Sequence, residues 1–193
     1  MILFAAERAC MHYPGRPAPA FRDMTLTIRK GESLRLTGPS GTGKTSLMRL
    51  IAGLERPSAG RIATLPRRPG MAFAEPRLLA RLSVIENLLF VAPFARSEAQ
   101  EMLAVLEMAD LQDSRAGSLS KGQAQRAALI RALLVRPDIL LLDEALGGLD
   151  PPTWHRARDL VRAHRDRDGF ALVEISHDPT RLIAPEAQEV SLA

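Results

Sequence analysis

An α/β fold built around a parallel sheet is predicted for this sequence of 193 residues, on three observations. "SLRLT", Ser33 to Thr37, reads as a short strand that passes through a glycine-rich loop into a helix with Leu47, Leu50, Ile51 and Leu54 at helical spacing. Ile139, Leu140, Leu141 and Leu142 form a continuous apolar run, the pattern of a strand covered on both faces, and it ends in Asp143 and Glu144. A further apolar strand, Ala171 to Ile175, leads into His177.

The composition fits one compact domain, or a core with a small inserted lobe: 46% of the residues are hydrophobic and 25% charged. The formal charge is +4, from 26 basic and 22 acidic side chains. Nearly all the basic residues are arginines spread along the chain without a cluster or interleaved aromatics, which describes a solvated surface and argues against a nucleic-acid partner. The single cysteine, Cys10, cannot form an internal disulfide, and the N-terminus lacks a basic segment followed by a long apolar one. A reducing cytoplasm is the expected location. No apolar run approaches the ~20 residues that cross a bilayer.

The loop between the first of these strands and its helix is Gly38, Pro39, Ser40, Gly41, Thr42, Gly43, Lys44 and Thr45, "GPSGTGKT", followed by Ser46. Its chemistry is that of a phosphate cradle. The first turn of a helix leaves backbone N–H groups unpaired, and with the helix dipole they favour an anion. Glycines let the backbone wrap phosphate oxygens, Lys44 reaches the β- and γ-phosphates, and the Thr45 hydroxyl binds Mg²⁺. An ordinary glycine-rich turn is the alternative, but the strand before and the helix after argue against it.

Two carboxylates at the end of a covered strand are costly to bury. They make sense if Asp143 completes a Mg²⁺ shell and Glu144 orients or deprotonates an attacking water, as phosphoryl transfer requires.

Which phosphate-loop protein this is turns on "LSKGQAQRAALIRALLVRPDILLLDEALGGLD", residues 119–150. The stretch resembles the ATP-binding cassette (ABC) ATPases, whose signature, close to LSGGQ, lies shortly before the acidic strand end. Here the signature is Leu119, Ser120, Lys121, Gly122 and Gln123, at a helix start where Ser120 is a suitable N-cap and Ala127, Ile130 and Leu134 share an apolar side. The resemblance covers almost the whole chain. It implies a RecA-like parallel sheet around the nucleotide, an antiparallel β portion near the N-terminus and an inserted helical lobe. It further implies a single ABC ATPase domain over 1–193, with 1–72 and 136–193 as nucleotide-binding core and 73–135 as the lobe with its signature helix.

In that family two cassettes face head to tail, so Ser120, Gly122 and Gln123 of one contact the γ-phosphate of ATP held by the loop of the other. His177, in "EISHD", matches the switch histidine that contacts the γ-phosphate and the attacking water. Tyr13, the only tyrosine, lies where the family has an aromatic that stacks on adenine, although "HYPGRPAPAF" is also a proline-rich turn in which it could cover the sheet edge. Gly148, Leu149 and Asp150 resemble the end of the loop that couples the two sites, with Gly147 in place of its usual small polar residue.

Residues 73–115 resemble the lobe that touches the membrane-spanning partner, with Ser83 an expected N-cap for "VIENLLF" and Ser97 for "EAQEMLAVLEMADL". "FAEPRLLARLSVIENL" is similar to the matching region of bacterial nitrate, sulfonate, taurine and pyrimidine importers. Where those carry a glutamine after the phenylalanine, this chain has Ala74, which can bind neither Mg²⁺ nor water. Glu75 is a candidate replacement ligand, or simply a surface glutamate. "AQEVSLA" reads as a last strand, with no room after it for a regulatory domain.

The resemblance thus implies an ATP-hydrolysing subunit of an ABC importer, using ATP and Mg²⁺. It would work as a homodimer or pseudo-symmetric dimer on the cytoplasmic face of the membrane, bound to permease subunits and served by a substrate-binding protein. Two alternatives stay open on the sequence. One is a soluble ABC ATPase outside transport, against which stand the single cassette and the lack of a coiled-coil insertion. The other is a degenerate ATP-binding module, for which Ala74 is the main argument.

Overall fold

The computed structural model describes residues 1–192, and Ala193, the last residue of the "AQEVSLA" run, lies outside the described residues. Two sheets form. The strands β1 (Ile2–Met11), β2 (Phe21–Arg29) and β4 (Ala59–Thr64) pair antiparallel in the order β2-β1-β4. The strands β3 (Ser33–Thr37), β5 (Pro69–Phe73), β6 (Ile139–Asp143), β7 (Ala171–Ile175) and β8 (Gln188–Ser191) build a parallel sheet in the order β5-β6-β7-β3-β8. The helices are α1 (Lys44–Ile51), α2 (Val84–Val91), α3 (Arg96–Val105), α4 (Lys121–Leu134) and α5 (Pro151–Asp168).

The period-two geometry of a strand explains why β6 is apolar throughout. Ile139 and Leu141 face the side packed by α1 residues Leu47, Leu50 and Ile51 and by Phe4 and Ile28 of the antiparallel sheet. Leu140 and Leu142 face the opposite side, where α4, α5 and the pair α2/α3 contribute Leu133, Trp154, Leu88 and Leu103. One strand therefore anchors both halves of the core.

Helix starts follow the sequence in two places out of three. Ser83 and Ser120 each accept a hydrogen bond from the backbone N–H three residues on, while Glu86 and Gln123 reach back to complete capping boxes. Ser97 does not cap. α3 is capped two residues earlier, on Ala95, and the Ser97 hydroxyl instead bonds Glu101 one helical turn along. That helix also ends at Val105 rather than running through "EMADL"; Glu107 takes a left-handed φ of 54°, which breaks it, and Ala109–Leu111 forms a separate 3₁₀ turn. Similarly α1 stops before Leu54: Gly53 turns left-handed and Leu54 is left 64% exposed.

Candidate nucleotide site

Parallel strands paired without stagger bring their ends into line, and this registers the site. Phe73, Asp143 and Ile175 are direct partners at the C-terminal ends of β5, β6 and β7. The residues that follow, Ala74, Glu144 and Ser176 with His177, must then emerge at one edge of the sheet, the edge where ligands of open α/β sheets bind. Glu144 leaves the strand in the left-handed region, at φ 52°, with its N–H held by the Ile175 carbonyl at 3.0 Å. Its carboxylate oxygen Oε1 lies 2.9 Å from His177 Nε2.

The loop from Gly38 to Gly43 closes the other side. Two of its glycines are sterically required: a Cβ on Gly38 would collide with the Leu192 carbonyl, and one on Gly43 would stand 2.6 Å from the Ala20 carbonyl oxygen, both at positive φ. Gly43 starts α1 without any side-chain cap among the described residues. Lys44 is 8% exposed, and its ammonium donates to the carbonyls of Gly38 at 2.7 Å and Pro39 at 2.8 Å. Thr42 braces the loop through a hydrogen bond from its hydroxyl to the same Pro39 carbonyl.

Thr45 donates to Asp143 Oδ2 at 2.7 Å, so the two residues expected to share a metal touch directly across 98 positions of sequence. Burial pushes the Asp143 carboxyl above its ordinary pKa; the Thr45 hydroxyl opposes this, Glu144 adds to it, and Arg49 and Lys44 oppose it. An uncompensated carboxylate at such a spot is stabilised by a cation, and a hydroxyl beside a carboxylate is a donor set for a hard ion. Among the described residues no group of three His, Cys, Asp or Glu forms a closed cage. The Thr45 hydroxyl and the Asp143 carboxylate are oxygen donors of the kind that hard divalent cations take.

A cleft of about 570 Å³ is lined by Tyr13, Ser40, Lys44, Thr45, Asp143, Glu144 and His177, with Gly41, Gly43 and Ser46 also on its wall. The Tyr13 hydroxyl bonds Glu55 at 2.5 Å and lies 2.9 Å from the Ser46 hydroxyl, so the ring is fixed in the cleft wall. A second cleft of about 800 Å³ abuts the first and shares Glu144 and His177 with it; Ala74, Lys121, Gln125, Gly147, Asp150 and Arg181 are on its wall. Ser120, Gly122 and Gln123 line neither cleft.

Three residues of this neighbourhood escape a reading of the sequence. Gln125 is 1% exposed, with its Nε2 on the Ala74 carbonyl at 3.4 Å and its Oε1 without a hydrogen-bond partner among the described residues. Glu174 is 3% exposed inside β7, and Arg181 reaches the Leu149 carbonyl at 2.7 Å. A glutamate within "ALVEI" was a signal of the second; nothing in the sequence marks the other two. Glu75 is exposed and lines neither cleft, so it stands as a surface residue.

The family model for ABC transporters matches residues 21–147. This chain belongs to the ABC transporter ATP-binding family. The taurine import ATP-binding protein TauB of Pseudomonas fluorescens is 39% identical over 193 aligned residues, which span 92% of this ABC protein and 73% of that one. A sulfate/thiosulfate import ATP-binding protein CysA of Mesorhizobium japonicum is 37% identical over 83% of this chain, which spans about half, 52%, of that longer relative. Among solved structures, a bacterial ABC transporter cassette determined as a dimer superposes with a TM-score of 0.87 at 25% identity, over 98% of this chain and 94% of that one. The ABC cassette fold is therefore established, phosphate loop, parallel sheet and antiparallel portion included.

Proposed function

We propose that this ABC protein binds and hydrolyses ATP as the power subunit of a membrane importer. The observation that carries the reading is the line Thr45, Asp143, Glu144, His177: a hydroxyl touching a buried carboxylate, followed at the same sheet edge by a second carboxylate touching an imidazole. Four polar groups converging beside a glycine-rich helix start have no use in packing. They match the needs of phosphoryl transfer, which are charge neutralisation and a positioned water.

The loop amides and Lys44 hold the β- and γ-phosphates, the ammonium exchanging its two loop carbonyls for phosphate oxygens. Thr45 and Asp143 would hold Mg²⁺, whose chemistry is to draw charge from the phosphate oxygens. Glu144 accepts the proton of the attacking water, and His177, bonded to it, orients that carboxylate and meets the γ-phosphate. Tyr13 lines the cleft, and its ring would stack on the adenine. Ser120, Gly122 and Gln123 serve the nucleotide cleft of a second copy; they do not line that of their own chain, and their neighbours Lys121 and Gln125 border only the larger cleft beside it.

Import as the direction of transport is supported by the relatives, which are import proteins for taurine and for sulfate or thiosulfate. The lobe formed by residues 73–135 is the docking face for permease subunits, which place the protein peripherally on the cytoplasmic side. Leu79, Phe90, Val91 and Phe94, all of this lobe, are exposed apolar side chains of the kind that a partner covers. No helix among the described residues is long and apolar enough to cross a membrane.

Glu144→Gln tests the reading. The amide keeps the shape but cannot take the water's proton, so ATP binding is retained, turnover stops and the ATP-bound dimer accumulates in light-scattering measurements with Mg²⁺. Turnover at the parental rate in this variant overturns it.

A further inference from the structure

We propose that Arg181 is a positioning residue that sets the His177 imidazole against Glu144. The proposal rests on the reading of those two as the hydrolytic pair. Their contact of 2.9 Å joins side chains 58% and 41% exposed, on two different loops. A contact so open to water holds its own geometry weakly, because solvent competes for both partners. The Glu144 N–H on the Ile175 carbonyl, at 3.0 Å, ties the two loops where they leave the sheet, and a second tie is needed farther along them.

The turn that carries His177 is braced from three sides. Below it, the buried Glu174 carboxylate accepts the N–H groups of Ile183 at 3.0 Å and Ala184 at 3.4 Å. Behind it, Arg162 on α5 donates to the Ile183 carbonyl at 2.8 Å. Within it, the Ser176 hydroxyl lies 3.0 Å from the Asp178 carbonyl and 3.3 Å from that of Arg181, while Asp178 accepts from Thr180. All of these fix the turn to its own strand and to α5.

Arg181 alone among these groups reaches sideways to the loop of Glu144. Its Nη1 donates to the Leu149 carbonyl at 2.7 Å, and its Nε lies 3.5 Å from Asp178 Oδ2, one residue from His177. Leu149 is a firm anchor, 5% exposed, packed in the larger core cluster and followed at once by Asp150, the N-cap of α5. The guanidinium is thus a strut from the histidine turn to the far end of the segment 144–150 that begins with Glu144.

Arg181→Ala removes the strut and leaves every phosphate-loop residue in place. The expected result is a kcat about tenfold or more below the parent, since displacements near 1 Å in an active site can cost about a hundredfold. ATP affinity, read by titration with a fluorescent ATP analogue, stays within twofold. Arg181→Lys, which can still donate to the Leu149 carbonyl, recovers more than half of the loss on a logarithmic scale. Independently of turnover, the ring ¹⁵N signals of His177 in Arg181→Ala move most of the way to those in Glu144→Ala, where the partner is gone. The proposal is overturned by a kcat within twofold of the parent, by ATP affinity falling in step with kcat, by failure of the lysine variant to recover, or by ring signals that coincide with the parent's. If the parent itself turns over no ATP, the functional reading fails while the ring signals still decide the role of Arg181.

Discussion

Two helix starts of this protein point at phosphate in the proposed assembly, and they are built in opposite ways. α1 begins on Gly43 at φ 89° with no side-chain cap, whereas α4 begins on Ser120 with a complete capping box. A serine cap contributes about 1 kcal/mol, so α1 forgoes a stabilisation that α4 takes. The gain for α1 is a set of first-turn amides left to a ligand of its own chain. For α4 the cap occupies only the acceptor side of the Ser120 hydroxyl, through the Gln123 N–H at 3.3 Å. Its hydrogen remains free, because a hydroxyl both accepts and donates. In the proposed assembly one site is thus completed by its nucleotide, and the other is folded beforehand to meet the nucleotide of a second chain.

The largest effect expected from this difference is at Lys44. Lys44→Ala takes away the charge that supplements the α1 amides, and hydrogen bonds to charged groups contribute about 1.5–3 kcal/mol, or roughly 10- to 100-fold in affinity. Titration with ATP and Mg²⁺ reads it directly. Parental affinity in the variant removes α1 from the comparison.

Ser120→Ala acts on the other start. Loss of the cap costs about 1 kcal/mol, a drop in melting temperature of roughly 2–4 °C for a chain of this size. ATP affinity of the single chain is unchanged, while the dimer trapped by Glu144→Gln no longer accumulates when both substitutions are present. A fall in single-chain affinity comparable to that of Lys44→Ala would mean that both starts serve one nucleotide.

These contrasts also mark what the sequence made legible. The phosphate loop, β6 with its two carboxylates and the Ser120 cap depend on local pattern and spacing, and each is found where those patterns place it. Ser97 misled because capping residues are also tolerated inside a first turn, where a hydroxyl can bond the side chain four residues on. Arg181 and Gln125 were invisible for a different reason. Their partners, the carbonyls of Leu149 and Ala74, are backbone atoms 32 and 51 residues away, and no side-chain pattern encodes them.

Glu174 offers a measure that separates the frame from the chemistry. Burial raises its carboxyl pKa, against the pull of the Ile183 and Ala184 amides and of Arg35. The folded protein therefore favours the protonated form more than the unfolded chain does. Its contribution is most favourable below the unfolded value and is lost as pH rises from there through the raised folded value. Glu174→Gln removes that dependence. Across this window the melting temperature of the parent falls relative to the variant, by roughly 2–4 °C for each kcal/mol involved. A constant difference between the two proteins would show that Glu174 does not titrate in it.

The smallest effect concerns Ala74, which lines the larger cleft and not the one beside the phosphate loop. The chain turns there with its carbonyl on Gln125 Nε2, and the cleft of about 800 Å³ beside it has room for a longer side chain. If the missing amide matters only in the closed, hydrolysis-ready state, Ala74→Gln raises kcat by a few-fold, about 1 kcal/mol, and leaves ATP affinity as it was. Glu75 is exposed and lines neither cleft, so Glu75→Ala changes neither quantity. Measured together, with Glu144→Gln as the inactive baseline, the two variants locate the contribution of this loop. An unchanged rate in Ala74→Gln would show that the side chain at this position is not limiting, and would leave the pair Glu144 and His177, shared by both clefts, as the groups on which the rate depends in the proposed reaction.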